Sequence, residues 1–485
     1  MKREKSLTTF ANTNVQDAGS SSTNLKRNLT LLNVVALLVS ITGHVAVFMT
    51  PGLVVDMSGS VTSTVVFWLV GSFLVYSLAL CYTELGTIFQ NAGGPYLYIT
   101  VIFGHFYGFL VVWGYIILIS GPFIAFASQT AALYIAKAIL DSSCNSYWHK
   151  ILVTLIACWI LLGLSFMNCY CLKVVVLLQN ALTACKMFAI GIIIISGVYV
   201  LSTRSTENFS APTEGSHVDP GRISMALTYV IFSNGGWQAV TTLTEEVKNP
   251  ARTLPRGIHV TFTVISVLFL MTYLSYMVVL DKTVVMHSKA VALTFCEHVW
   301  APLVPVMSIL VALACVGALN TGIMGHSRMV FAAARKGDLP CMLSTLHPKY
   351  KTPVLAIWTV VLYGFVMMFS GGVQRLMQFI GLYSLILGLK VIVALLYLRY
   401  TKPDLHRPYK VPLLFPMLQA VVSIALLLLI IYQEPAWMLF GVLIYLLGIP
   451  VYLLGVSWRQ KPKIVLLFTG HLTSFLQKLF QLVPS

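Results

Sequence analysis

Phe232-Ser-Asn-Gly-Gly-Trp-Gln-Ala-Val-Thr-Thr-Leu-Thr-Glu-Glu-Val-Lys-Asn-Pro-Ala-Arg-Thr-Leu-Pro255 is the stretch on which the reading of this chain turns. An apolar run enters it from Met225, meets Gly235 and Gly236, and resumes toward two carboxylates and two prolines. A helix broken inside a bilayer exposes backbone N–H and C=O groups, and each one left unpaired costs several kcal/mol. Such breaks persist where the freed backbone lines a cavity and holds something small and polar. The stretch therefore implies a membrane passage for a solute.

The rest of the chain agrees with a bilayer setting. It is 485 residues long, 58% hydrophobic and only 9% charged, which excludes a soluble globular protein and a disordered one. Apolar runs of about 20 residues recur, each long enough to cross a hydrocarbon core of about 30 Å. Twelve are expected: 31–56, 62–82, 104–136, 150–168, 174–201, 224–247, 257–280, 301–333, 353–371, 376–398, 412–432 and 436–456. Residues 90–104, with Gly93, Gly94 and Pro95, read as a short re-entrant or interfacial piece. Residues 1–28 are polar and read as a disordered cytoplasmic arm, 29–458 as the transporter domain, and 459–485 as a cytoplasmic tail. No cleavable signal peptide is read; the first span serves as its own insertion signal.

The net charge of +16 follows from topology. Of the 31 Lys and Arg residues, 22 fall on the N-terminal side of alternate loops, 7 on the other side and 2 inside spans. The positive-inside rule then puts both termini in the cytoplasm, with no need for a nucleic-acid partner. Nine cysteines are an odd number. Cys144 lies in the polar loop Asp141-Ser-Ser-Cys-Asn-Ser146, which this topology places outside the cell. An unpaired cysteine in an oxidising compartment suggests an intermolecular disulfide, with a free surface thiol as the alternative. The loop 202–222 is also outside and holds the sequon Asn208-Phe-Ser210, a glycosylation candidate; Asn28-Leu-Thr30 is excluded by its cytoplasmic placement.

A second interruption stands at the middle of the first span, at Thr42-Gly43-His44. Interrupted spans at matching places in two halves point to an inverted repeat with a central site. The expected architecture is an all-α membrane protein of five plus five spans, then two more.

The order of the motifs resembles the light chains of the heteromeric amino-acid transporters, in the amino acid–polyamine–organocation superfamily. The resemblance runs from about residue 31 to 463. It rests on Cys81-Tyr-Thr-Glu-Leu-Gly-Thr87, Gly93-Gly-Pro-Tyr96, Asn168-Cys-Tyr170, Lys173, Gln179-Asn180, Lys186, Gly235-Gly-Trp237, Thr244-Glu-Glu246, Asn249-Pro250, Leu254-Pro255, Ser327-Arg328, Gly337-Asp-Leu-Pro340 and Lys402-Pro-Asp-Leu-His-Arg-Pro408. It implies a leucine-transporter-like fold and sodium-independent exchange of amino acids at the plasma membrane. It also implies a single-span heavy-chain glycoprotein, disulfide-linked at the position that Cys144 matches.

A zwitterion offers one carboxylate and one ammonium. A helix N-terminus presents free N–H groups to the first and a helix C-terminus presents carbonyls to the second. Two broken helices supply both, so the expected site is Thr42, Gly43, His44, Val45 and Ala46 with Phe232, Ser233, Asn234 and Gly235. The resemblance makes Phe232 a gate over the substrate; a packing phenylalanine is the alternative. No metal, cofactor or enzymatic chemistry is implied. Members of the family read Gly-Ser-Gly-Ile-Phe before Thr-Pro in the first span, whereas here His44-Val-Ala-Val-Phe48 precedes Thr50-Pro51. Val45 is β-branched and resists the conformations glycine allows. Gly43 stands one residue earlier, and either it carries the break or helix 1 is less unwound.

Lys186 lies within the fifth span. A charge at bilayer depth costs about 2.5–3.5 kcal/mol on insertion scales, so it is buried for a reason. The resemblance gives its ammonium the place of a sodium ion; a structural tie to the carbonyls of helix 1 is the alternative. Lys390 is a second intramembrane lysine, read as snorkelling or anion-binding. Glu245, Glu246, Arg252 and Arg328 stand near the cytoplasmic face as an inner gate, or as a static charge cluster. The windows 42–48 and 231–238 contain no Asp, Glu, Lys or Arg, which favours neutral amino acids. The competing reading of the altered first span is a transport-poor relative that serves as a heavy-chain companion or amino-acid sensor.

Overall fold

The computed structural model describes residues 29–43, 46–90, 93–139, 147–203, 212–242, 244, 247–288, 290–370, 372–458 and 463–484. The helices in chain order are α1 (Leu31–Ile41), α2 (Thr50–Ser58), α3 (Val61–Ile88), α4 (Gly94–Phe103), α5 (His105–Gly114), α6 (Gly121–Ile139), α7 (Tyr147–Tyr170) and α8 (Leu172–Thr203). Then come α9 (Pro220–Ser233), α10 (Ala239–Thr242), α11 (Pro250–Val279), α12 (Lys282–His287), α13 (Val291–Val299), α14 (Leu303–Arg335), α15 (Val354–Met367), α16 (Val373–Thr401), α17 (Leu414–Gln433), α18 (Pro435–Leu446), α19 (Gly448–Tyr452) and α20 (Lys463–Phe480). Among the described residues nine helical segments are long and apolar enough to cross a membrane. The other three expected spans are helical but shorter or interrupted: α1 with α2, α9 with α10, and α15. Residues 94–103, read as a short re-entrant piece, form the buried helix α4.

Local chemistry sets the boundaries. α9 opens on Pro220, whose missing N–H costs nothing at a helix start, and the Asp219 carboxylate accepts from the Arg222 N–H at 3.1 Å. α2 likewise carries Pro51 in its first turn. The span from His105 to Ile139 widens to a π-helix at Tyr115–Ser120, between Gly114 and Gly121.

α14 packs against α6 and α8, and α11 packs against α8, α1 and α3. Two buried apolar clusters result. One holds Phe48, Val54, Phe126, Phe232 and Phe269; the other holds Val34, Leu38, Tyr82, Trp237 and Phe262. Each interrupted helix therefore gives one half to each cluster: α2 and α9 to the first, α1 and the residues after Asn234 to the second. The tail is not featureless. α20 is followed by β2 (Val483–Pro484), which pairs antiparallel with β1 (Thr345–Leu346) in the loop after α14.

Candidate functional site

Both interruptions open at glycine. α1 ends at Ile41, Thr42 turns to extended backbone, and Gly43 takes φ +72°. A methyl group built on Gly43 would overlap the Phe269 ring of α11, so glycine is needed for its conformation and for the space. Of the two expected outcomes for helix 1, the break is present, and Gly43 is left-handed. A 3₁₀ turn, Ala46–Phe48, leads into α2. His44 and Val45 lie outside the described residues. In the other helix, α9 ends at Ser233, Gly236 takes φ +100°, and the chain resumes helix at α10.

The two breaks touch. The Gly43 N–H donates to the Gly235 carbonyl at 3.2 Å. Thr50 Oγ1 and Ser233 Oγ are 2.7 Å apart, which ties α2 to α9. Thr50 Oγ1 is also 2.7 Å from the Ala46 carbonyl, and Ser233 Oγ is 2.8 Å from the Tyr229 carbonyl. Each hydroxyl has one proton, so only two of these three contacts are hydrogen bonds at any moment. The hydroxyls can exchange partners without moving.

Two of the buried polar atoms that lack a partner among the described residues stand at the breaks, and others are spread through the bundle. Thr42 and Asn234 are fully or almost fully buried. The Asn234 amide N–H donates to the Val230 carbonyl at 2.9 Å, but its Oδ1 has no partner, nor does Thr42 Oγ1. A buried polar atom left unpaired costs about 1–3 kcal/mol, so such atoms mark where a ligand or water belongs. Phe232 is 5% exposed and meets Phe126 of α6 edge-on, with ring centroids 5.3 Å apart. Trp237 packs behind the break against Tyr82, ring centroids 4.9 Å apart.

Lys186 reaches from α8 to the end of α1. Its Nζ donates to the carbonyls of Val39 at 3.0 Å, Ser40 at 3.0 Å and Thr42 at 3.2 Å. All three ammonium protons are used, on carbonyls that the end of a helix leaves free and partly negative. Beside it Ser40 Oγ and Thr183 Oγ1 are 2.7 Å apart. A cavity between α1, α8 and α14 is lined by Ser40, Gln179, Thr183, Lys186 and Thr321. An amide chain leads into it from α7: Asn168 Nδ2 donates to Asn320 Oδ1 at 2.9 Å, and Asn320 Nδ2 donates to Gln179 Oε1 at 2.9 Å. Lys390 turns inward to the Tyr445 hydroxyl, with Nζ 4.6 Å from that ring's centroid, so it does not snorkel.

The expected inner gate is only partly described. Glu245 and Glu246 lie outside the described residues, and among those described Arg252 and Arg328 pair with no carboxylate. The charges that do meet were missed in the sequence. Glu84 of α3 is fully buried, grips Arg399 of α16 through both oxygens, and accepts the Val411 N–H at 2.8 Å. Arg407 stands 3.8 Å from the same carboxylate and donates to the carbonyls of Leu398, Lys402, Pro403 and Leu405. Asp338 is 2% exposed, accepts the Tyr96 hydroxyl at 2.5 Å and lies 3.3 Å from His105 Nδ1. The signal was present: Glu84, Tyr96, Asp338 and Arg407 all stand inside the motifs that carry the resemblance. Cys144 and Asn208 lie outside the described residues.

A membrane bundle with two broken helices in contact, and unpaired polar groups at the breaks, is a small-solute transporter rather than an enzyme. The chain matches the amino acid permease family over residues 29–457 and belongs to it, as a light-chain-type amino-acid transporter. A cystine/glutamate transporter of Homo sapiens is 32% identical over 472 residues, 97% of this chain and 93% of its own length. The large neutral amino acids transporter small subunit 2 of Mus musculus is 30% identical, over 95% of this chain and 87% of its own. The b(0,+)-type amino acid transporter 1 of Mus musculus is 30% identical, over 96% of this chain and 94% of its own.

Proposed function

We propose that the chain is the light chain of a heteromeric exchanger, moving neutral amino acids across the plasma membrane by alternating access without sodium. The observation that carries this is the meeting of the two breaks at Gly43 and Gly235, flanked by the unpaired Thr42 Oγ1 and Asn234 Oδ1. The half-helices around the breaks supply N–H groups for a carboxylate and carbonyls for an ammonium. Thr42, Gly43, His44, Val45 and Ala46, with Phe232, Ser233, Asn234 and Gly235, form the substrate site, Phe232 its gate. None of these carries a carboxylate, ammonium or guanidinium, which supports neutral side chains over the glutamate named for one relative. Lys186 holds the carbonyls that a sodium ion would otherwise bridge. Glu245, Glu246, Arg252 and Arg328 form the inner gate. The chain crosses the bilayer twelve times, as a five-plus-five repeat and two more helices, with both termini in the cytoplasm. Cys144 bonds a heavy-chain glycoprotein, and Asn208 is open to glycosylation.

Counterflow in proteoliposomes tests the reading, with the heavy chain present and labelled leucine, serine, glutamate, arginine and cystine compared in sodium and in choline. Saturable exchange of a neutral amino acid, equal in both cations, is expected. Exchange confined to glutamate or to arginine overturns the substrate class. No exchange of any of the five favours the sensor or companion role instead.

A further inference from the structure

The last long span, Pro435–Ser457, ends at Trp458, and α20 begins at Lys463. Four intervening residues hold the start of α20 within about 18 Å of Trp458, whatever path they take. The other end is held too, because β2 pairs with β1 in the loop that follows α14. The helix is about 27 Å long at 1.5 Å per residue and is tethered at both ends to segments that follow membrane-spanning helices.

It has more apolar surface than the protein covers. Leu476 and Phe480 pack against the core, and Leu482 just beyond is buried. Phe475 is 62% exposed and Leu479 59% exposed, one helical turn apart on the neighbouring face. Lys478 is exposed and borders this stripe on the side away from the docked face. An uncovered aromatic and leucine beside a lysine, on a helix tethered to the end of a span, has the composition of an interfacial helix.

We propose that α20 lies in the headgroup region of the adjoining leaflet. Phe475 and Leu479 enter the acyl-chain boundary, and Lys478 rests on anionic phospholipid headgroups. The anionic choice rests on the cytoplasmic placement of the tail given above, since that leaflet carries the negative surface charge. Lipid engagement then holds β2 against β1, and with it the loop that presents Asp338 to Tyr96.

The full-length protein with p-benzoylphenylalanine at Phe475, or separately at Leu476, is placed in nanodiscs of mixed phosphatidylcholine and phosphatidylserine and irradiated. The Phe475 probe is expected to capture lipid, with phosphatidylserine favoured about five-fold over its mole ratio, the factor one lysine near an anionic surface supplies. Lys478→Gln is expected to erase the preference and keep the adducts. The Leu476 probe is expected to capture the protein's own chain, which shows that α20 is folded and docked. Absence of lipid adducts at Phe475, capture of a second copy or another protein from native membranes, or lipid capture at Leu476 overturns the proposal. An epitope after Ser485, reached only in permeabilised cells, checks the orientation separately.

Discussion

Gly43 is the residue on which the site depends most narrowly. Its left-handed backbone costs a non-glycine residue roughly 1–2 kcal/mol, and the Phe269 ring fills the space a Cβ would take. Gly43→Ala is therefore expected to lower exchange at least ten-fold in counterflow while the protein still reaches the membrane. Phe269→Ala added to it removes the overlap but not the backbone cost, so the double variant recovers part of the loss. Full activity in Gly43→Ala alone would show that the break does not need this conformation. This residue was legible in the sequence as one candidate of two, because glycine in an apolar span is conspicuous. That Gly43 takes the left-handed conformation was not legible, because the ring that fills the space beside it, Phe269, stands far away in the chain.

At the scale of the elements, each interrupted helix divides its halves between two buried clusters. α2 and α9 side with one buried cluster, and α1 with the segment after Asn234 sides with the other. Uninterrupted helices join the two clusters as well: α3 gives Trp68 to the first and Val75 to the second, and α11 gives Phe269 and Phe262. The contact of α1 with α8 is polar: Ser40 with Thr183, and Lys186 with three carbonyls. Polar contacts can be traded for water when a crevice opens, whereas apolar packing cannot. Ser40→Cys with Thr183→Cys, oxidised to a disulfide, is expected to stop exchange reversibly, with dithiothreitol restoring it. Undiminished exchange in the oxidised pair would mean that α1 does not leave α8 during transport.

The opposite kind of contact is the Glu84 network, which joins α3, α16 and the loop 402–413. Breaking a buried pair strands the remaining charge and costs about 3–5 kcal/mol. Glu84→Gln should lower the thermal midpoint of the detergent-solubilised protein markedly, and more than Arg252→Gln or Arg328→Gln, whose side chains are exposed. Equal midpoints for all three would remove Glu84 from its place as a clamp. Glu84 and Arg407 of this network stand inside the quoted motifs, but the pairing was illegible in advance for a physical reason. Charge pairing between residues 315 positions apart is a product of the helix packing, and motif spacing along the chain does not reveal it. The tail, 459–485, was read only as a cytoplasmic tail, and its helix α20 was not expected.

For the whole molecule, composition and the periodicity of apolar runs made the all-α membrane architecture legible, because a bilayer restricts lipid-exposed backbone to so few forms. Assembly is where the chain points beyond itself. Eight cysteines are free thiols among the described residues, six of them in long apolar helices or buried behind one. None of the eight is bonded to Cys144, which precedes α7 in the sequence and lies outside the described residues. On the proposed topology Cys144 faces an oxidising compartment, which suits an intermolecular disulfide. Cys144→Ser is expected to abolish the reducible high-mass band on non-reducing gels, yet to leave the heavy chain co-purifying in mild detergent, because a transmembrane interface does not rest on one bond. The two readouts separate the bond from the assembly. A high-mass band that survives in Cys144→Ser places the link at another residue, and a heavy chain lost in mild detergent makes the disulfide itself the assembly contact.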